Sequence, residues 1–124
     1  MSPVDLVSYR APDASHRYVL DLVRGADRDR FLAALFAPEP ARTGLLALLA
    51  FDHELARTRS VTREPMLARI RLQWWREAVA EAAGTGTPRA QPIVESLAEI
   101  VRRHGITAEK LTALIDAREE EING

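Results

Sequence analysis

The feature that most confines this chain is a helical stretch from about Ala41 to Thr58. Its middle, Leu45-Leu46-Ala47-Leu48-Leu49-Ala50-Phe51, is apolar on every face. A surface helix shows one apolar stripe, whereas a helix that is apolar all round has to sit inside something. It cannot be a bilayer, because seven residues rise only about 10 Å against roughly 30 Å of hydrocarbon. The run therefore predicts a central, most buried helix wrapped by others. With 124 residues there is room for one ordinary domain. A composition of 47% hydrophobic and 28% charged residues can build that core rather than stay disordered.

The flanking sequence reads as helix after helix, with no convincing period-2 alternation, so the expected fold class is all-α with about six helices. Residues 1–12, punctuated by Pro3 and Pro12, suggest a loose N-terminal arm, and residues 13–124 a helical domain. The first helix should run from Asp13 or Ser15 to Arg24, with Tyr18, Val19 and Leu22 as its apolar stripe and Gly25 as its stop. The second should span Arg28 to Phe36, with Phe31, Leu32, Leu35 and Phe36 apolar, and end at Pro38 and Pro40. After the central helix, a fourth follows Thr62 with Pro65 in its first turn, where a missing N–H costs nothing, and continues to Ala83. Gly84-Thr85-Gly86-Thr87-Pro88 is the connection. The fifth covers Pro92 to His104, with Ile93, Leu97, Ile100 and Val101 in line and Gly105 as its close. The sixth opens on Thr107 as N-cap and carries Leu111, Leu114, Ile115 and Ile122. Five amphipathic neighbours give thin cover to an all-round apolar helix. The pattern thus predicts a fragment of a larger domain or a chain that completes its core as a homo-oligomer.

Seventeen basic and eighteen acidic residues leave a net charge of −1, which argues against nucleic acid as a partner. There is no cysteine, so disulfides, thiolate metal sites and cysteine nucleophiles are excluded. Met1-Ser2-Pro3-Val4-Asp5 does not open a secretory signal, and no run is long enough for a transmembrane segment. The expected location is cytoplasmic, with room for a position peripheral to the inner membrane.

Few residues offer chemistry. His16, His53 and His104 are far apart. His53-Glu54-Leu55-Ala56-Arg57 starts like a zinc-protease helix, but the second ligand position holds Arg57, which cannot bind metal. Glu77/Glu81, Glu95/Glu99 and Asp116/Glu120 each put two acids on one helix face, which suits Mg²⁺ but more simply suits pairing with nearby arginine. The most distinctive stretch is Arg69-Ile70-Arg71-Leu72-Gln73-Trp74-Trp75-Arg76-Glu77. Its adjacent tryptophans lie about 100° apart, so one should pack inward and the other against a neighbouring helix. Its arginines could bind an anion or simply form salt bridges.

Ala50-Phe51, Glu54-Leu55, the helix start Pro65-Met66-Leu67, Arg71-Leu72-Gln73-Trp74-Trp75-Arg76-Glu77 and Leu114-Ile115-Asp116-Ala117-Arg118-Glu119 together resemble the N-terminal half of the squalene/phytoene synthases, over about residues 15–122. The resemblance implies part of an isoprenoid-synthase-like helical bundle. Its enzymes join two prenyl diphosphates, holding Mg²⁺ against each diphosphate on aspartate-rich helices, because the metal neutralises the charge that grows on the leaving group. The first such motif falls on Ala56, Arg57 and Ser60, none of them acidic, and the second belongs to the family's later half. A subset of the family, complex I assembly factor-like, shares these losses and keeps the Arg-x-Gln-aromatic-Trp helix.

The resemblance thus implies a catalytically inactive protein with no cofactor, working in respiratory complex assembly with respiratory-complex subunits as partners, or binding a lipid-like ligand. An apolar prenyl-like ligand would lie among Phe51, Leu55, Trp74 and Trp75, with Arg71 and Arg76 for its polar end. Two alternatives stand beside this reading. One is a Mg²⁺-dependent prenyl-diphosphate condensing transferase seen as a truncated chain, and the other is a helical protein-interaction module.

Overall fold

The computed structural model describes the backbone of residues 3–123 except 40, 62 and 85, and the side chains of those residues other than 3–13 and 59–61. The described residues form six helices and no strand: α1 Pro3–Ala26, α2 Arg28–Leu35, α3 Ala41–Val61, α4 Pro65–Ala83, α5 Pro92–His104 and α6 Ala108–Asn123.

The helix ends follow from single residues. Asp27 breaks the chain between α1 and α2 with extended backbone, and its carboxylate accepts from the Arg30 N–H at 3.0 Å. That bond satisfies a donor that α2 would otherwise leave orphaned, so the break falls at Asp27 and not at Gly25, the stop the sequence suggested. Pro65 and Pro92 each stand in the first turn of their helices. The Gln91 side chain caps α5 at the Val94 N–H, and Gly105, at φ 66°, closes it in the left-handed conformation that glycine adopts without strain. The Thr107 hydroxyl accepts from the Lys110 N–H at 3.3 Å at the start of α6, as predicted. The backbone of α1 begins at Pro3, well ahead of the expected Asp13 or Ser15. A proline such as Pro12 removes one hydrogen bond from a helix without forbidding the turns on either side. The side chains of the expected 1–12 arm lie outside the described residues.

α3 is the central element and packs against each of the other five helices. α1 and α5 cover one side together, α4 and α6 pair on the other, and α5 also reaches α4. Leu46, Ala50, Phe51 and Leu55 of α3 meet Val19 and Val23 of α1, Leu72 and Val79 of α4, Ile93, Leu97 and Ile100 of α5, and Leu111 and Ile115 of α6 in one core. Ala47, Ala50, Ala78, Ala82 and Ala98 are all buried at the contacts, where small side chains let helix axes approach closely.

The expectation that α3 is buried on every face is corrected: Leu45 is exposed, and Leu48 and Leu49 are only partly covered. Other faces turn differently from the sequence reading. On α1 the core takes Val19 and Val23 and leaves Tyr18 outside. On α2 it takes Phe31 and Ala34, so Leu32, Leu35 and Phe36 point out, Phe36 with 89% of its surface exposed. On α4 the buried line is Ala68, Leu72, Trp75, Val79 and Ala82. Ile70, two residues from Leu72, is therefore carried to the opposite side, as helical geometry demands.

Truncating Phe51, which is fully buried, should lower the unfolding free energy by about 3–5 kcal/mol through lost transfer energy and the cavity left behind. Phe36→Ala should change it by less than about 0.5 kcal/mol. Urea denaturation followed by circular dichroism measures both, and similar losses for the two would contradict this packing.

Candidate functional site

Phe51 of α3 meets Trp75 of α4 edge-on, with ring centres 5.6 Å apart. Trp74 cannot enter the same space, being a third of a turn away, and stacks T-shaped on the outer side of Trp75 at 4.9 Å. The Arg89 guanidinium covers the Trp74 ring at 4.9 Å. The aromatic series thus runs from core to surface and ends on a cation. The expectation that the second tryptophan packs against a neighbouring helix is corrected: Trp74 lies against Trp75 and the connection that carries Arg89.

Arg89 is held by Glu81, with Nε 2.9 Å from its carboxylate. The side-chain hydrogen bonds from Arg89 hold the Glu81 carboxyl below its ordinary value, against a smaller opposing effect of burial, and Arg89 is raised in turn. Nothing in the sequence marks Arg89, because the contact crosses the Gly84–Pro88 connection.

Beside the tryptophans, α3 and α4 leave an open groove of about 400 Å³, walled by Ile70, Trp74 and Trp75 and edged by Glu54, Arg57, Thr58 and Arg71. Of the six residues named for an apolar ligand, Arg71, Trp74 and Trp75 line this groove. Phe51 and Leu55 do not, because both are buried in the core behind it. Arg76 is drawn away to α6, where it pairs with Asp116 at 2.6 Å and Glu119 at 3.3 Å.

The turn that the family resemblance marks for metal is divided between two surfaces. Arg57 edges the α3–α4 groove, while Ala56 lines a smaller hollow of about 210 Å³ with Asp27, Arg30, Asp52 and His53. The side chain of Ser60 lies outside the described residues. The acids near this turn are already held by arginines. Arg57 pairs with Glu54 at 3.1 Å. Asp52 receives Arg118 at 3.1 Å and Arg30 at 3.7 Å. Burial works against the Arg118 cation, but hydrogen bonds and charge from Asp52 and Glu121 outweigh it and raise its pKa. The Mg²⁺ of the family's enzymes does not fit these residues. A cation stands where a ligand is needed, and Asp52 and Glu54 open onto different surfaces.

The paired acids read from the sequence also serve arginines: Glu81 binds Arg89, Glu99 binds Arg103 at 2.7 Å, and Asp116 binds Arg76. Glu95 instead accepts from the Ser15 hydroxyl on α1. No group of three or more histidine and carboxylate side chains among the described residues could hold a metal ion.

A family model described as squalene/phytoene synthase matches residues 23–124. The rat protein called NADH dehydrogenase (ubiquinone) complex I, assembly factor 6, is 35% identical over 90% of this chain and 33% of its own length. The human protein of that name is 31% identical over 86% of this chain and 32% of its own, and a Drosophila melanogaster homolog is 28% identical over 83% and 32%. The chain thus spans about a third of the length of these curated relatives. No solved structure matches it.

Because Glu81 is depressed in the folded chain, its hold on Arg89 is complete above the ordinary glutamate range and is lost as pH falls through the lowered folded value. Tryptophan emission followed from about pH 6 to pH 3 should show a transition centred below that range, before helical circular dichroism is lost. Glu81→Gln should abolish it, whereas an identical transition in the variant would assign the change to another group.

Proposed function

The chain belongs to the squalene/phytoene synthase family, and from that premise we propose that it is a catalytically inactive member working in assembly of respiratory complex I. The observation that carries this reading is the Arg57–Glu54 pair, on the turn where the family's enzymes need acids for metal. Condensing two prenyl diphosphates requires a polyanion to depart. Without a divalent ion to neutralise its growing charge, the barrier stays high. Arg57 puts a guanidinium, which has no lone pair to offer, where that ion needs a carboxylate, and Glu54 is already paired with it. The names of the rat and human relatives support an assembly role, and the partners would be respiratory-complex subunits.

The α3–α4 groove adds a second capacity within the same role. Its walls are mostly apolar, and the exposed Arg71 at its edge suits the polar end of a prenyl-like or lipid-like guest. No described helix is long and apolar enough to cross a membrane.

Two experiments test this. Incubated with farnesyl or geranylgeranyl diphosphate, with and without Mg²⁺, the full 124-residue chain should release no pyrophosphate and form no condensed product. Grafted in place of the matching third of the rat relative, it should restore assembled complex I, read by in-gel NADH dehydrogenase activity, in cells lacking that factor. Condensed product would overturn the inactive reading. A stably expressed graft without complex I would overturn the assembly role.

A further inference from the structure

The polar edge of the α3–α4 groove is made by Glu54, Arg57, Thr58 and Arg71, and these four do not count equally. Arg57 and Glu54 offset each other at 3.1 Å, and the Glu54 side chain is the more covered of the two, 19% exposed against 50%. The Thr58 hydroxyl donates to the Glu54 carbonyl of its own helix at 3.4 Å. Arg71 is exposed and makes no salt bridge among the described residues. The edge therefore offers one uncompensated positive charge, a guanidinium, beside the apolar wall of Ile70, Trp74 and Trp75.

That wall is already in place. Trp74 is held between Trp75 and the Arg89 guanidinium. Ile70 with Trp74, and Arg71 with Trp75, are pairs four residues apart, so all four side chains stand on adjoining lines of one helix. Contacts to a guest's head and to its chain thus come from a single rigid element.

Size and charge together limit the guest. At about 400 Å³ the groove is at the small end of ligand sites, roughly 300–1,000 Å³, with room for one hydrocarbon chain and not for the two of a diacyl lipid. A phosphate monoester carries nearly two negative charges and a diphosphate more, so one guanidinium with no divalent ion leaves part of that charge bare. A carboxylate carries a single charge, and its two oxygens match the fork of N–H donors that arginine presents. We propose that the groove binds a single-chain carboxylate, a fatty-acid anion, with its head on Arg71 and its chain against Ile70, Trp74 and Trp75. The proposal rests on the groove's capacity for a lipid-like guest and not on the assembly role.

Both tryptophans of the chain wall the groove, so intrinsic emission reports on it alone. Titration of the full chain with monomeric dodecanoate and with dodecan-1-ol, at about pH 8 where the carboxylate is ionised, tests the proposal by emission and by calorimetry. One dodecanoate should bind per chain, at least about tenfold tighter than the alcohol of the same length. Arg71→Gln, at an exposed position, should remove that difference while alcohol binding and helical circular dichroism stay unchanged. Arg102→Gln, at the exposed end of α5, should change neither ligand. Equal affinity for acid and alcohol overturns the proposal but leaves a lipid-like guest standing, whereas no binding of either removes both. An equal loss in Arg102→Gln, or farnesyl diphosphate binding tighter than dodecanoate without Mg²⁺, also overturns it.

Discussion

Phe51 and Trp75 fix the distance and rotation between α3 and α4, and much of the rest is arranged around that contact. With the rings edge-on at 5.6 Å and both side chains in the core, α4 can present only one side inward. Trp74 is then forced to the rim, Ile70 and Met66 to the outer face, and Arg76 toward α6. The groove between α3 and α4 is the space left because Trp75 turns in and Trp74 does not. Its aromatic wall follows from packing before any ligand is considered. The same contact explains why an apolar guest would meet Trp74 and Trp75 but never reach Phe51 or Leu55.

Around this core runs a belt of arginine–carboxylate pairs. Arg118 links Asp52 of α3 to Glu121 of its own helix, and Arg76 ties α4 to Asp116 and Glu119 of α6. These side chains remain partly in water, so each pair contributes only about 0–1 kcal/mol. Their effect is on register and chemistry. They hold α6 against α3 and α4, and they engage carboxylates of α3 and α6. A chain with sixteen arginines and one lysine suits that arrangement, since the planar guanidinium binds two acids at once.

The order of the helices and most of their ends were legible in the sequence, because prolines at helix starts, Thr107 and Gly105 act locally. The family was legible in the α4 stretch around the two tryptophans, which the comparison over residues 23–124 bears out. Facing was less legible. α2 and α4 carry large apolar residues on two sides, and nothing local says which side the core will take, so the outward turn of Leu32, Phe36 and Ile70 is visible only in the structure. The candidate site was half legible for the same reason. Trp74, Trp75 and Arg71 share the groove because they share one helix. Arg76 left the set through a contact forty residues away in the chain, and Arg89 joined Trp74 across a connection with no pattern of its own.

The central claim is that arginines have taken over the turn of α3 where acids would hold a divalent ion. Titration of the full chain with Mn²⁺, followed by the electron paramagnetic resonance of the free ion, measures this directly. All added ion should stay free. One ion bound per chain, and released by Glu54→Gln, would contradict it.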